Sequence, residues 1–557
     1  MPSVAEVVAQ TLAAYGTEKF FCFMGGDHEF WFALQDAGIE LINCRSEAGA
    51  VYMADGYARV SGKPGYVYGQ RGPGVSNVAG SLADGWWAKS PVISLTSAIP
   101  MDVRDRFEYQ EMDGLPLHVG VTKWNKTVST PERAGAMVRA AIRAATGTPP
   151  GPVHLEIPAD MLTMEAGHDD AYRELDLGHV NSRRVTPDHG QLRRAIETLL
   201  ASERPLIVAG KGVVISEAWA ELTKFAELCD IPVATSLGGK GAISEMNDLA
   251  VGVIGRNSRR VGNDTVRGSH TILAIGTRLG GLATHRWGLP FGEKHLLHVD
   301  PDPQILGHNY KTEVGVVGDA KLALLEAIEI AGTIKRDGRA KAWSDKVKQD
   351  IRDWRANSAE YAKSTCEDGI HPAAIVDALR KVMGPNDIVG ADTGAHGGWV
   401  GGLFPVEAGK TMVRANGSLG WIFPGAMGAA LAAPDRRTVA VTGDGGMLYH
   451  IAEYETAMRR NIPIVAVVLN NACLASEYHT EKRKFGRVVS DILDYRDVDF
   501  AAVARAFGAY GVRVTDPKDL QDAMRDALKS GLPAMVDVVT SKEAQSPSAN
   551  FDKTRKV

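Results

Sequence analysis

Residues 443–471 read GDGGMLYHIAEYETAMRRNIPIVAVVLNN, and residues 437–442 just before them read RTVAVT. The apolar run at 438–442 has the look of a strand buried on both faces that enters a glycine turn. MLYHIAEYETAMRR then reads as one helix, and NIPIVAVVLNN as a second buried strand. Strand, turn, helix and strand in this order make a right-handed crossover between parallel strands, so both strands end at the same sheet edge. Asp444 and Asn471, distant in the chain, are therefore expected to meet there.

Working outward, the same alternation fills the chain. Short apolar runs such as FFCFM, ELINC, YVYGQ, PVISLTS and PVHLEI alternate with helical stretches up to about Met164. A polar segment, HDDAYRELDLGHVNSRRVTPDHG, interrupts the rhythm and reads as a linker. RPLIVAG, IPVATSL, SHTILAIG and KHLLHVD mark a second block closed by a charged helix, KRDGRAKAWSDKVKQDIRDWRANSAEY. NDIVGAD, RTVAVTGD, PIVAVVLNN and AMVDVVT mark a third. The expected architecture is α/β, with three doubly wound parallel-sheet domains at 1–170, 190–345 and 365–545 and a mobile tail at 546–557. A length of 557 residues agrees with several cores, at roughly 150 residues per domain.

Composition narrows the partners. Hydrophobic residues make up 45% and charged residues 23%, which supports ordinary globular cores. A net charge of −5 with signs interspersed offers no basic footprint for nucleic acid or an anionic membrane. The five cysteines, without CxxC spacing, argue against a disulfide framework or a zinc site and for a reducing compartment. The amino terminus reads as an amphipathic helix, and no apolar run reaches membrane-spanning length. The expectation is a cytoplasmic protein whose partners are small molecules or copies of itself.

The chemistry of the opening stretch follows from its residue types. Glycines at 443, 445 and 446 let backbone amides approach an anion at a helix amino terminus, where the helix dipole also favours negative charge. One carboxylate, one amide oxygen and a phosphate suit Mg²⁺, which prefers few protein ligands beside phosphate oxygens and water. The stretch resembles the thiamine diphosphate motif of the acetolactate synthase and pyruvate decarboxylase superfamily, in which GDG is followed by a helix, a strand and NN. That resemblance implies that Asp444 and Asn471 ligate Mg²⁺ together with the backbone carbonyl of Cys473.

Other segments resemble the same superfamily. CRSEAGAVYMADGYARVSG matches the helix that carries the activating acid, implying that Glu47 hydrogen-bonds the cofactor's pyrimidine ring. NGSLGWIFPGAMGAALAAP implies Leu419 beneath the bent cofactor and the Gly417 carbonyl near its amino group. ADTGAHGGWV implies diphosphate contacts from Gly394 and His396. QRGPGVSN, FEYQEMDGLPL and VTKWNKTV match further loops, and the central segments look like the family's middle domain. The similarity covers nearly the whole chain.

The resemblance implies an enzyme, a thiamine diphosphate-dependent lyase or transferase, that makes or breaks a carbon–carbon bond next to a carbonyl through an enamine. It also implies that Glu47 of one subunit serves a cofactor held on another, in a homodimer at least and plausibly a homotetramer. His28, Gln110 and Glu477 are candidates for substrate chemistry. Arg71 replaces the small residue usual before GPG in acetolactate synthases and suits an anionic substrate. The pattern before GPG also resembles sulfoacetaldehyde acetyltransferases, and a 2-hydroxyacyl-CoA or oxalyl-CoA lyase is a further alternative. The middle domain holds either FAD or nothing. From another class comes a noncatalytic diphosphate-binding regulatory subunit, for which Glu47 would be dispensable.

Overall fold

A computed structural model describes residues 1–23, 25–167 and 177–546. Apart from Ser546, the expected mobile tail lies outside the described residues, as do residues 168–176 of the expected linker. Three six-stranded sheets account for the chain, and every strand pairing in them is parallel. From edge to edge the first runs Glu40–Asn43, Lys19–Cys22, Gly65–Gly69, Val92–Ala98, Val153–Pro158, Asn125–Thr127. The third runs Met412–Arg414, Ile388–Ala391, Thr438–Gly443, Ile464–Asn470, Ala534–Val539, Tyr510–Val514. These two orders are the same. The middle sheet differs, running Val314–Val317, His295–Asp300, Thr271–Ile275, Pro205–Ala209, Val233–Thr235, Ala250–Val253.

In the first and third sheets the order reverses between the first and third strands in chain order, and the crevice at such a reversal is where these sheets bind ligands. In the third sheet the reversal falls between Ile388–Ala391 and Thr438–Gly443. The segments leaving those two strands are ADTGAH and GDGG. The helix expected after GDGG is broken at Ile451–Ala452 into Asp444–His450 and Glu453–Arg459. Buried Glu453 is thereby free to reach the first domain, where its carboxylate accepts the Arg45 amide at 3.0 Å.

The first and third domains are joined by two helices, Glu47–Ser61 and Ile422–Ala432, that cross with their backbones in contact. A Cβ at Gly56 would lie 1.8 Å from the Gly425 carbonyl oxygen, and one at Gly428 would lie 1.9 Å from that of Met53. Only glycine permits so close a crossing. Around it, Met53 and Tyr57 share one apolar core with Ile422, Phe423 and Met427.

A buried polar network flanks the crossing. The Arg59 guanidinium pairs with Asp55 and, at 2.8 Å, with Asp84, lies over the Trp421 ring and donates to the Arg414 carbonyl at 2.5 Å. Asp55 accepts the Trp421 indole N–H at 3.0 Å. Asp84 in turn accepts the amides of Asn416, at 2.9 Å, and Ser418, at 3.1 Å. Burial alone would push the Asp84 carboxyl up, but Arg59 and these amides outweigh it and hold it below the usual carboxylate range. Among the described residues no helix is long and apolar enough to cross a membrane.

Two predictions follow from this junction. Gly56→Ala should cost about 1–3 kcal/mol or more by overpacking, read as a lower urea midpoint; an unchanged midpoint would refute the close crossing. Asp84→Asn should lower the melting temperature at neutral pH. Because the folded carboxyl titrates below its unfolded value of about 3.9, its contribution is complete above that value and fades as pH falls through the folded one. The wild-type advantage over Asp84→Asn should therefore shrink on acidification below that range, and an advantage independent of pH would contradict the assignment.

Candidate active site

A cavity of about 510 Å³ opens at the switch point of the third sheet. The register that sets Gly443 beside Leu469 brings Asp444 against the end of the next strand. One Asp444 oxygen accepts the Gly445 amide at 2.7 Å, and the other accepts the amides of Asn471, at 3.1 Å, and Cys473, at 3.2 Å. Burial raises the Asp444 pKa, and those amides work against the rise. The Asn471 side-chain oxygen is buried with no hydrogen-bond partner among the described residues. A buried amide oxygen left unpaired is costly and marks the place of an absent partner. Its neighbour Asn470 has a different task, donating to Asp537 at 3.0 Å and to the Val498 carbonyl at 2.9 Å.

The donor set at this point is one carboxylate, one orphaned amide oxygen and nearby backbone carbonyls, all hard oxygens. It fits Mg²⁺ with a diphosphate better than a softer metal. Among the described residues no cluster of three His, Cys, Asp or Glu side chains offers a metal site of another kind.

Gly394, His396, Gly417, Leu419, Gly443, Gly445, Gly446, Cys473 and Glu477 all line the same cavity with Asp444 and Asn471. His396 is buried, its imidazole is pushed down to about 4 by burial, and its Nε2 has no partner among the described residues. A neutral ring with one open nitrogen can serve as donor or acceptor toward a ligand. Glu477 is exposed in the first turn of the helix Ala475–Phe485.

Sequence reading passed over Asp392, although it stands in the ADTGAH segment. Its buried carboxylate accepts the Gly420 amide at 3.0 Å and the Thr442 hydroxyl at 2.9 Å, tying the loop that carries Leu419 to the strand that leads into Asp444. Burial pushes this carboxyl up to about 7. Arg256, Asn257, Leu237 and Leu282 from the middle domain complete the wall, a contribution that no motif announces.

Glu47, His28 and Gln110 do not line this cavity. They gather instead at the carboxyl edge of the first sheet. Glu47 begins its helix beneath the Ser46 cap and accepts the Asn77 side-chain amide at 3.1 Å. Gln70 donates to Gln110 at 3.5 Å. His28, exposed, opens the helix after the first strand, one residue beyond Asp27, whose carboxylate pairs with Arg71 at 3.3 Å and accepts the Tyr68 hydroxyl. The candidate residues thus fall into two groups on different sheets. Arg278 of the middle domain donates to the Trp87 carbonyl at 3.1 Å and lies over the Trp87 ring.

Comparison with known proteins agrees with this geometry. Residues 2–117, 192–328 and 392–538 match the N-terminal TPP binding domain, the central domain and the C-terminal TPP binding domain of the thiamine pyrophosphate enzymes. The chain is 30% identical over 554 residues to the probable acetolactate synthase large subunit of Methanocaldococcus jannaschii, covering 96% of this chain and 91% of that one. It is 27% identical to acetolactate synthase isozyme 3 large subunit of Escherichia coli, covering 95% and 92%. It is also 30% identical to the sulfoacetaldehyde acetyltransferase of Castellaniella defragrans, covering 98% and 94%. The chain belongs to the thiamine pyrophosphate enzyme family. It is a thiamine diphosphate-dependent enzyme of the carboligase and decarboxylase type, which sets aside the noncatalytic reading.

Proposed function

We propose that this enzyme is an acetolactate synthase-like carboligase or decarboxylase that acts on a small 2-keto acid, with Mg²⁺ and with each active site completed by a second copy of the chain. The observation that carries the reading is the buried, unpartnered oxygen of Asn471 beside the amide-held carboxylate of Asp444. In this reading Asp444, Asn471 and the Cys473 carbonyl hold the metal, while the amides of Gly443–Gly446 and the Gly394–His396 turn hold the diphosphate. Leu419 supports the bend, and Gly417 offers its carbonyl to the pyrimidine amino group. Bound thiamine diphosphate supplies a nucleophilic thiazolium carbon and an electron sink for the bond broken beside a carbonyl.

Glu47 of a partner copy hydrogen-bonds the pyrimidine nitrogen and holds the proton that sets its tautomer. His28 and Gln110 face the substrate from that same copy, and Glu477 faces it from the copy that holds the metal. A homodimer is the smallest assembly that brings the two half-sites together, and the homotetramer and cytoplasmic location expected from sequence are retained in the proposal. FAD is not required by it.

A second reading, close to the sulfoacetaldehyde acetyltransferases, is favoured by Arg71. It stands in the half-site with Glu47, tethered to Asp27 at 3.3 Å and part-exposed, where its charge can meet a sulfonate or a carboxylate.

Product analysis after mixing the protein, Mg²⁺ and thiamine diphosphate with 2-keto acids or sulfoacetaldehyde, with and without phosphate, separates the two. Glu47→Gln should bind the cofactor within about threefold of wild type yet lose turnover. Asp444→Ala should weaken cofactor binding by about tenfold or more, the loss expected for a charge-assisted contact. Full activity of Glu47→Gln at saturating cofactor would contradict the role given to Glu47.

A further inference from the structure

One wall of the cavity that contains Asp444 is built by the middle domain, and it carries a charge with no partner. Strand Ala250–Val253 runs into a turn at residues 255–258 that brings Arg256 and Asn257 to the cavity. The turn is held from behind. Fully buried Asn263 accepts the Gly255 amide at 2.8 Å and donates to the Gly255 carbonyl at 3.1 Å and to the Ser258 hydroxyl at 2.9 Å. Just after the turn, buried Arg259 pairs with Glu245 at 2.8 Å, donates to the Gly402 carbonyl at 2.9 Å and lies over the Trp354 ring. At Gly255, with φ +93°, a Cβ would stand 2.0 Å from the Leu282 carbonyl oxygen, which accepts the Arg256 amide at 2.8 Å. Only glycine permits that approach.

Buried polar contacts thus fix the turn, while Arg256 at its tip is exposed. Among the described residues its guanidinium has no ion-pair or hydrogen-bond partner. The acids on the cavity wall, Asp392, Asp444 and Glu477, do not pair with it. Arg414, the other cation of that wall, is engaged by the Asn416 side-chain oxygen at 2.8 Å. A guanidinium carried on a rigid turn into a concave site, with its planar fork of donors open, is matched to an oxyanion that can take two of them at once. Because the turn is already ordered, little freedom is lost when such a group binds.

We propose that Arg256 anchors the oxyanion group, carboxylate or sulfonate, of the carbonyl compound that reacts in this cavity, and that the middle domain thereby sets substrate specificity. Asn257 stands beside the anchor, and exposed Leu282 on the same wall offers an apolar surface to a short hydrocarbon body. The substrate class is a small organic acid. The inference rests on the reading that carbonyl chemistry takes place at the Asp444 cavity.

The test is calorimetric titration of the full-length protein, saturated with thiamine diphosphate and Mg²⁺, with two unreactive probes: oxamate in place of a 2-keto acid and isethionate in place of a sulfonated aldehyde. Wild type should bind at least one of them saturably at one site per chain. Oxamate alone assigns the anchor to a carboxylate, isethionate alone to a sulfonate, and both to the charge itself. Arg256→Met should weaken the binding by about tenfold or more, the scale of one lost charge-assisted contact. Arg256→Lys should recover part of it, since an ammonium restores the charge without the fork. Arg256→Met should melt with wild type and keep cofactor affinity within about threefold, as a surface substitution does.

No saturable binding of either probe by wild type, or probe binding that Arg256→Met leaves unchanged, would overturn the proposal. So would a loss of cofactor affinity in Arg256→Met, which would assign the charge to the diphosphate. Turnover of 2-keto acids and sulfoacetaldehyde by wild type, measured separately, tells the two readings apart. Turnover with probe binding independent of Arg256 keeps the proposed function and removes the anchor; binding that depends on Arg256 without turnover keeps the anchor and removes the proposed reaction.

Discussion

The backbone contact between helices Glu47–Ser61 and Ile422–Ala432 is the constraint on which the arrangement of this enzyme depends. With carbonyl oxygens 1.8 and 1.9 Å from where Cβ atoms would stand at Gly56 and Gly428, there is no room for any side chain at the crossing. The contact fuses the cores of two similar sheets into one. It also sets the Arg59 guanidinium among Asp55, Asp84, Trp421 and the Arg414 carbonyl, a buried pairing whose members are satisfied by hydrogen bonds. Such a network is costly to break and specifies one docking geometry.

From that geometry the positions of the functional groups follow. The helix that makes the crossing begins at Glu47, and its entry is held by Glu453 of the third domain through the Arg45 amide. Asp84 of the first domain holds the amides of Asn416 and Ser418, which flank Gly417. Each group of candidate residues is thus positioned by the other domain of its own chain, yet Glu47 does not line the cavity that contains Asp444. The middle domain is fastened to the third by buried Glu245, which pairs with Lys240 and Arg259 and accepts the Val406 amide at 3.0 Å. That attachment carries Arg256 and Asn257 to the cavity wall.

The sequence disclosed the interior of each sheet and not its margins. Runs such as TVAVT and IVAVVLN are buried on both faces, so they stand out as continuous apolar segments. Asn125–Thr127, Met412–Arg414 and Tyr510–Val514 are edge strands, short or only partly buried, and their residues carry no such pattern. The meeting of Asp444 and Asn471 was legible because a crossover fixes where neighbouring strands end. The grouping of Glu47 with Gln70, Asn77 and Gln110 was legible only through resemblance. Asp84, Asp392 and Glu453 were not legible as partners, since each acts on backbone amides contributed from elsewhere in the chain, and an amide leaves no mark in a sequence. The MADGYAR segment was read as a marker for Glu47; the structure shows Asp55, Gly56 and Arg59 in it working as the clamp between domains.

The central claim is that each active site is divided between two copies of the chain, and the direct test is complementation between inactive variants. Glu47→Gln and Asp444→Ala chains would be co-assembled, and exchange of the cofactor's reactive C2 proton with solvent deuterium followed by NMR after acid quench, a readout that needs no substrate. A divided site predicts that the separate variants exchange slowly and that the mixture recovers fast exchange at about a quarter of its sites, because half the dimers are mixed and each mixed dimer has one intact site. A mixture no faster than the two variants measured apart, once mixed assembly has been verified, would contradict the account.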